Sequence, residues 1–204
     1  MKFLQLSSLF VFVLTAFNFV SAQQLPPNIS VTCSNEIIKL STSTELNSCA
    51  SFVKLAGLQN KTADPKQTLD AYCPAPKCSD EKTSADAAEL KSQCSNDLTN
   101  PEVFAIKEIL VFNSPIKDCF CFKNSTTGQY CYSDPNSASI FNFISGLGIT
   151  TPTDINCTDC NKAILNTFVN YFTAHHEALT ELPPTVNVTA FQTVVATKCG
   201  PSFL

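Results

Sequence analysis

The 204-residue chain contains no tryptophan and no arginine, and only five glycines, two histidines and one methionine. Without arginine no bidentate guanidinium contact to phosphate can form, and the acidic balance opposes approach to a polyanion, so nucleic acid is excluded as a partner. Without tryptophan the best stacking platform for sugars is gone, which leaves that role to phenylalanine and tyrosine. Gly57, Gly128, Gly146, Gly148 and Gly200 are too scattered to build a phosphate-cradling loop. Ser145-Gly-Leu-Gly148 follows a helical pattern and lacks the Gly-x-Ser-x-Gly nucleophile elbow. The two histidines, His175 and His176, are adjacent and followed by Glu177. Neighbours on a helix point about 100° apart, and His-Glu-x-x-His spacing is absent, so the pair reads as a solvated helix end with no metal. No cofactor is expected.

One apolar run stands out, Leu9 to Val20, preceded by Lys2 and followed by Ser21-Ala22. A charged start, a short apolar centre and small residues at the cut site predict a signal peptide over residues 1–22. The run is shorter than the ~20 residues that span a bilayer. Cleavage leaves 182 residues from Gln23, with 12 lysines against 17 acidic groups, a formal charge of −5. No second long apolar run and no hydrophobic tail follow, so the expected product is secreted and extracellular, without a membrane span.

All 11 cysteines lie after residue 22: Cys33, Cys49, Cys73, Cys78, Cys94, Cys119, Cys121, Cys131, Cys157, Cys160 and Cys199. With an export signal these predict a disulfide scaffold in preference to zinc. Five Asn-x-Ser/Thr sequons, at Asn28, Asn60, Asn124, Asn156 and Asn187, predict a glycoprotein. Asn156 is the weakest acceptor of the five, because early bridging of Cys157 competes with the transferase.

The best patterned stretch is Cys157 to Phe172, where Ile164, Phe168 and Phe172 recur beside Leu165 and Val169, with Asn161, Lys162, Asn166 and Asn170 on the polar side. Residues 23–32 read as an extended lead-in, and 33–204 as a single helical domain. Within it, helices are expected over Ile37–Leu40, Glu45–Leu58, Asp64–Tyr72, from Ser84 as cap to Cys94, Asn100–Asn113, Ile140–Leu147 and Val188–Cys199. Pro115 should stop the Asn100 helix. Cys119 to Tyr132 alternates around an Asn/Ser/Thr/Gly turn and predicts one small β-hairpin, in which Cys131 pairs with Cys119 or Cys121. Cys33 to Cys49 and Cys78 to Cys94 span equal intervals, read as two similar helix-to-helix staples. The fold class is therefore mainly α and disulfide-rich, with that hairpin.

The order of Thr68-Leu-Asp-Ala-Tyr-Cys73, Cys94 before Asn100-Pro101, Gly128-Gln-Tyr-Cys131, Cys157-Thr-Asp-Cys160 and Cys199-Gly-Pro-Ser-Phe resembles an uncharacterised fungal family of secreted, cysteine-rich proteins classed as a domain of unknown function. The resemblance runs from Cys33 to Phe203 and implies ten shared cysteines. It lends no catalytic residues. This chain departs from the pattern by lacking a Ser-rich tail and by one extra cysteine in Cys119-Phe-Cys121, so one of those two is the odd thiol or the site of an intermolecular bridge.

Cys157-x-x-Cys160 lacks the βαβ context of a redox pair and reads as structural. Acidic residues are numerous, yet without a cleft any glycosidase pair is arbitrary. The leading expectation is a non-enzymatic extracellular or cell-surface protein acting by binding at the fungal wall or host interface. The alternatives are a carrier of an apolar small molecule such as a sterol or fatty acid, in a pocket of Phe104, Phe141, Phe168, Phe172 and Phe191, and an unrecognised secreted hydrolase. The partners expected are wall or host surface components, or that apolar ligand.

Overall fold

The computed structural model describes residues 25–59, 64–138, 140–141, 155–182 and 188–204. The signal-peptide reading, the sequons Asn60 and Asn187, and the Ile140 helix beyond Phe141 lie outside those residues.

Helices begin where a short acceptor side chain precedes the first turn. Ser30 Oγ accepts from the Cys33 amide to open α1 (Val31–Thr42), and Ser43 opens α2 (Thr44–Ser48). Helix α3 spans Phe52–Gln59. Asp64 before Pro65 caps α4 (Pro65–Tyr72), and Asn100 before Pro101 caps α6 (Pro101–Val111), each with proline in the first turn, where its missing amide costs nothing. Ser79, five residues ahead of the expected Ser84, caps α5 (Asp80–Gln93), which buries Thr83, Asp86, Ala87 and Leu90 along one face. The first turn of α5 escapes a periodicity search because its apolar face holds a threonine and an aspartate.

The Asn100 helix ends ahead of Pro115 as expected, but the chain stays helical. After Phe112 a second helix, α7 (Asn113–Cys121), takes Pro115 into its own first turn. Helices α6 and α7 form the spine. α6 packs on α5, α3 and the 3-10 turn His176–Glu181, while α7 packs on α5, on the 3-10 turn Cys131–Ser133 and on α8 (Asp159–Ala174). Helix α9 (Val188–Cys199) buries Phe191 and Val195.

The predicted β-hairpin is not formed. The arm holding Cys119 and Cys121 is the end of α7, the other arm is the 3-10 turn Cys131–Ser133, and between them one antiparallel bridge joins Lys123 to Tyr130. The reason is geometric: alternation at i and i+2 marks one face of a strand, but on a helix those positions lie about 200° apart. Cys119 therefore turns into the core while Cys121 turns away to Cys73.

The bridges are Cys33–Cys94, Cys49–Cys78, Cys73–Cys121, Cys131–Cys160 and Cys157–Cys199. Cys131 thus pairs with neither Cys119 nor Cys121. The two equal intervals are clamped to one another, first cysteine to last and last to first. Cys157 and Cys160 reach in different directions, to α9 and to the Cys131 turn.

Cys119 is the unpaired cysteine and is fully buried. Its Sγ lies 3.7 Å from the Ile164 carbonyl on α8. Burial, reinforced by the Asp118 charge, pushes the thiol well up despite a contact with Thr167. A buried, protonated thiol is a poor nucleophile. Native protein is therefore expected to resist maleimide and to take up one equivalent after denaturation without reductant; labelling of the native state at the rate of a free peptide thiol would contradict this burial.

The chain before α1 carries no helix and is tied to the domain. Leu25 and Ile29 pack against the core, Ser30 Oγ donates to Asp97 Oδ2 at 2.6 Å, and Asn100 Nδ2 donates to the Pro27 carbonyl at 2.9 Å.

Candidate functional site

A concave feature of mixed lining is built where the failed hairpin turns. In Asn124-Ser-Thr-Thr-Gly128, Asn124 Oδ1 accepts from the amides of Thr126 and Thr127 at 2.9 and 3.0 Å. The Gly128 amide returns to the Asn124 carbonyl at 2.8 Å with φ +69°, a backbone conformation that favours glycine. Ten residues on, Asp134 repeats the device: its Oδ1 accepts from the Asn136 amide and from Asn136 Nδ2 at 2.9 and 3.1 Å, opening the 3-10 turn Pro135–Ser137.

Between the two turns lies a cleft of about 280 Å³. Asn124, Thr127, Gln129 and Tyr130 form one wall, and the stretch from Ser133 to Asn136 forms the other. Its frame is rigid. Cys131 at its back is bonded to Cys160 on α8, and the next residue of α8, Asn161, is fully buried with Nδ2 donating to the carbonyls of Asn136 at 3.0 Å and Asn156 at 2.7 Å. Asn161, read from sequence as a polar-face residue, is instead the peg that fixes the second wall.

Tyr130 is nearly buried, and its hydroxyl donates to Asp70 Oδ1 at 2.9 Å, while Lys66 reaches Asp70 Oδ2 at 2.6 Å. Burial and then the Asp70 hydrogen bond push the Tyr130 hydroxyl up, and the hydrogen bonds from Lys66 and Tyr130 hold Asp70 down. The Lys123 ammonium sits 4.6 Å from the centre of the Tyr130 ring. The cleft itself carries one carboxylate, Asp134, without the second acid a glycosidase pair requires.

The sequence-predicted residues are placed as follows. Phe168 and Phe172 meet at 6.0 Å between ring centres, and Phe172 lies against Phe112 at 5.7 Å. Phe141 belongs to another group, 5.2 Å from Phe120 and 5.1 Å from Tyr132. Phe104 lies under the Lys107 ammonium at 5.0 Å, and Phe191 is buried on α9. Phe141 and Phe191 belong to the buried core, and Phe168 and Phe172 pack against it. Asn28 is exposed at φ +59° and Asn156 is exposed, while Asn124 lines the cleft. His175 Nδ1 contacts Glu177 at 3.3 Å beside the Tyr171 ring. Among the described residues no three His, Cys, Asp or Glu side chains cluster as metal ligands, and no helix is long and apolar enough to cross a membrane.

Gln129, Ser133, Asp134 and Asn136 were not singled out from the sequence. Asp134-Pro135 carries the same cap-then-proline signature as Asp64-Pro65 and Asn100-Pro101, so the turn was legible; its proximity to residues 124–130 was not.

These features define a helical domain stapled by five disulfides, with a small open cleft of mixed polar and apolar lining. Residues 16–204 match the family described as a domain of unknown function (DUF7729), and the chain belongs to that family. No curated protein and no solved structure matches it.

Proposed function

We propose that this is a secreted, glycosylated protein of the extracellular space, fungal in origin, that acts by binding at the wall or host surface without catalysis. The observation that carries the reading is the sulfur arrangement: ten of the 11 cysteines are in disulfides that lie in or next to most of the helices, an oxidised scaffold suited to an exporting route. The apolar start with Ser21-Ala22 fits an export signal, and exposed Asn28 offers an acceptor for glycan. The cleft, with amide and hydroxyl side chains on a braced frame, is suited to recognition.

The test is expression of the full chain in a secreting eukaryotic host. Protein in the medium beginning at Gln23, losing mass on enzymatic deglycosylation and retained by whole wall preparations or host surfaces, is the expected result. Retention inside the cell would sink the export part. Turnover of an ester, glycoside or peptide substrate, abolished by one side-chain change, would sink the non-catalytic part.

A further inference from the structure

We infer that the cleft between the Asn124 and Asp134 turns seats a neutral saccharide; this rests on the binding role proposed above and names its ligand class. The lining decides among chemistries. An apolar ligand would desolvate the Gln129 amide, Asn124 Nδ2 and Asp134 Oδ2 without replacing their water, while the Asn136 amide is already bonded to Asp134 and Asn156. A phosphate or carboxylate ligand would meet Asp134, the one charge in the lining, with like sign. A bare cation finds a single carboxylate whose Oδ1 is already taken by Asn136.

A sugar hydroxyl, by contrast, both donates and accepts, as does a side-chain amide. With Asn124 Oδ1 spent on its turn, Asn124 Nδ2 is left as a donor; Asp134 Oδ2 is left as an acceptor; the Gln129 amide supplies one of each. Pro135, which is exposed, and the small accessible part of Tyr130 add apolar surface to the lining. Both turns are locked by their own side chains, and the second is pegged by Asn161, so little ordering cost is left for binding. The volume lies just below the range of ligand sites, which run from roughly 300 Å³. That suits one ring of a longer glycan rather than an enclosed oligosaccharide.

The sugar has two available sources. One is an external wall or host glycan, and the other is the chain's own N-linked glycan, since Asn124 opens a sequon and also lines the cleft. The experiment separates them with Thr126→Ala, which removes the sequon and keeps both the Asn124 side chain and the backbone amide it holds. Soluble chitin, β-1,3-glucan and mannan oligosaccharides are titrated into the full-length secreted T126A protein by NMR.

For an external glycan, one of these binds with shifts at Gln129 and Asn136, and adding Gln129→Ala weakens it about tenfold, the worth of one good hydrogen bond. For the chain's own glycan, the Asn124 glycan of the wild type resists endoglycosidase in the native state, and Gln129→Ala speeds its release about tenfold. Gln129 is exposed, so its replacement leaves the fold in place, and circular dichroism checks this. The inference is overturned if no oligosaccharide binds at millimolar concentration and glycan release is equally fast in both proteins, or if an anionic ligand is what binds. Wall or host-surface retention unchanged by Gln129→Ala would then leave the binding role intact without this cleft; loss of retention in every form would remove both.

Discussion

Replacing Lys107 with alanine is expected to destabilise the fold by about 3–5 kcal/mol at neutral pH, the cost of leaving a buried charge without its partner. Lys107 and Glu108 occupy consecutive positions of α6, and both are buried, Glu108 completely. The Lys107 ammonium contacts Glu108 Oε1, donates to the Glu181 carbonyl at 3.3 Å and lies 3.5 Å from Glu181 Oε2. Lys91 on α5 holds the same Glu181 carboxylate at 3.2 Å. The four side chains neutralise one another and tie the 3-10 turn His176–Glu181 onto α5 and α6. In K107A the Glu108 carboxylate loses the cation that contacts it. Replacing the pair together, as Lys107→Met with Glu108→Leu, removes both charges from the interior, so the double variant is expected to recover most of the loss. Equal destabilisation of the single and double variants in urea titrations would show that packing, not charge, sets the cost.

The same cluster fixes the sign of a pH dependence. Burial raises the Glu108 carboxyl above its ordinary 4.5, against the opposing pull of Lys107. A carboxyl raised in the folded state binds its proton more tightly there than in the unfolded chain. Its contribution is therefore fully present below pH 4.5 and is lost as pH rises through the elevated folded value. Glu181 runs the other way. Burial alone would raise it, but its hydrogen bond to Lys91 and the charges of Lys91 and Lys107 outweigh burial and hold it low, so its contribution is present above 4.5 and is lost as pH falls through the depressed value. Loss of Lys107 strengthens the first effect and weakens the second. K107A should thus recover stability relative to the wild type as pH is lowered towards 4.5, which chemical denaturation across that range would measure.

Caps and prolines were legible in the sequence, because an acceptor side chain before a helix acts within three residues. Asp64, Asn100 and the Cys157 stretch placed α4, α6 and α8 within a few residues of their observed starts. Where tertiary partners decide, local pattern failed. The alternation of Cys119, Cys121, Tyr130 and Tyr132 has the period of a strand, yet α7 runs through the first pair because Ile116, Cys119 and Phe120 complete a helical face buried in the core. Asn161 is polar and its burial depends on carbonyls 25 and five residues away, which no window on α8 contains. The cleft was hidden for the same reason. Each wall is a local turn, but the concavity exists only because Cys131, Cys160 and Asn161 set the walls at a fixed distance.

Removing the Cys73–Cys121 bridge, as the Cys73→Ala, Cys121→Ala pair so that no thiol beyond buried Cys119 is left, is expected to cost about 4 kcal/mol in the chain-entropy account of a loop of this length. Sequence separation alone would rank Cys33–Cys94 first, at 61 residues against 48. The two bridges that clamp the equal intervals are nested, however. With Cys49–Cys78 closed, the unfolded chain already runs from Cys33 to Cys94 through two arms of 16 residues, 32 in all, so its bridge closes a much shorter effective loop. No other bridge shortens the path from Cys73 to Cys121. It is also the bridge that joins the sulfur network of residues 33–94 to the elements that follow, and it ends at the last residue of α7, directly before the turn that carries the cleft. Cys33→Ala with Cys94→Ala should therefore cost a few tenths of a kcal/mol less, since loop entropy changes only logarithmically with length. Hydrogen exchange should separate the two further: loss of Cys73–Cys121 is expected to expose amides at the end of α7 and through residues 122–131, whereas loss of Cys33–Cys94 should act on α1 and on the end of α5. A larger loss of stability for the Cys33–Cys94 pair would show that total separation, rather than the shortest closed path, governs the denatured chain.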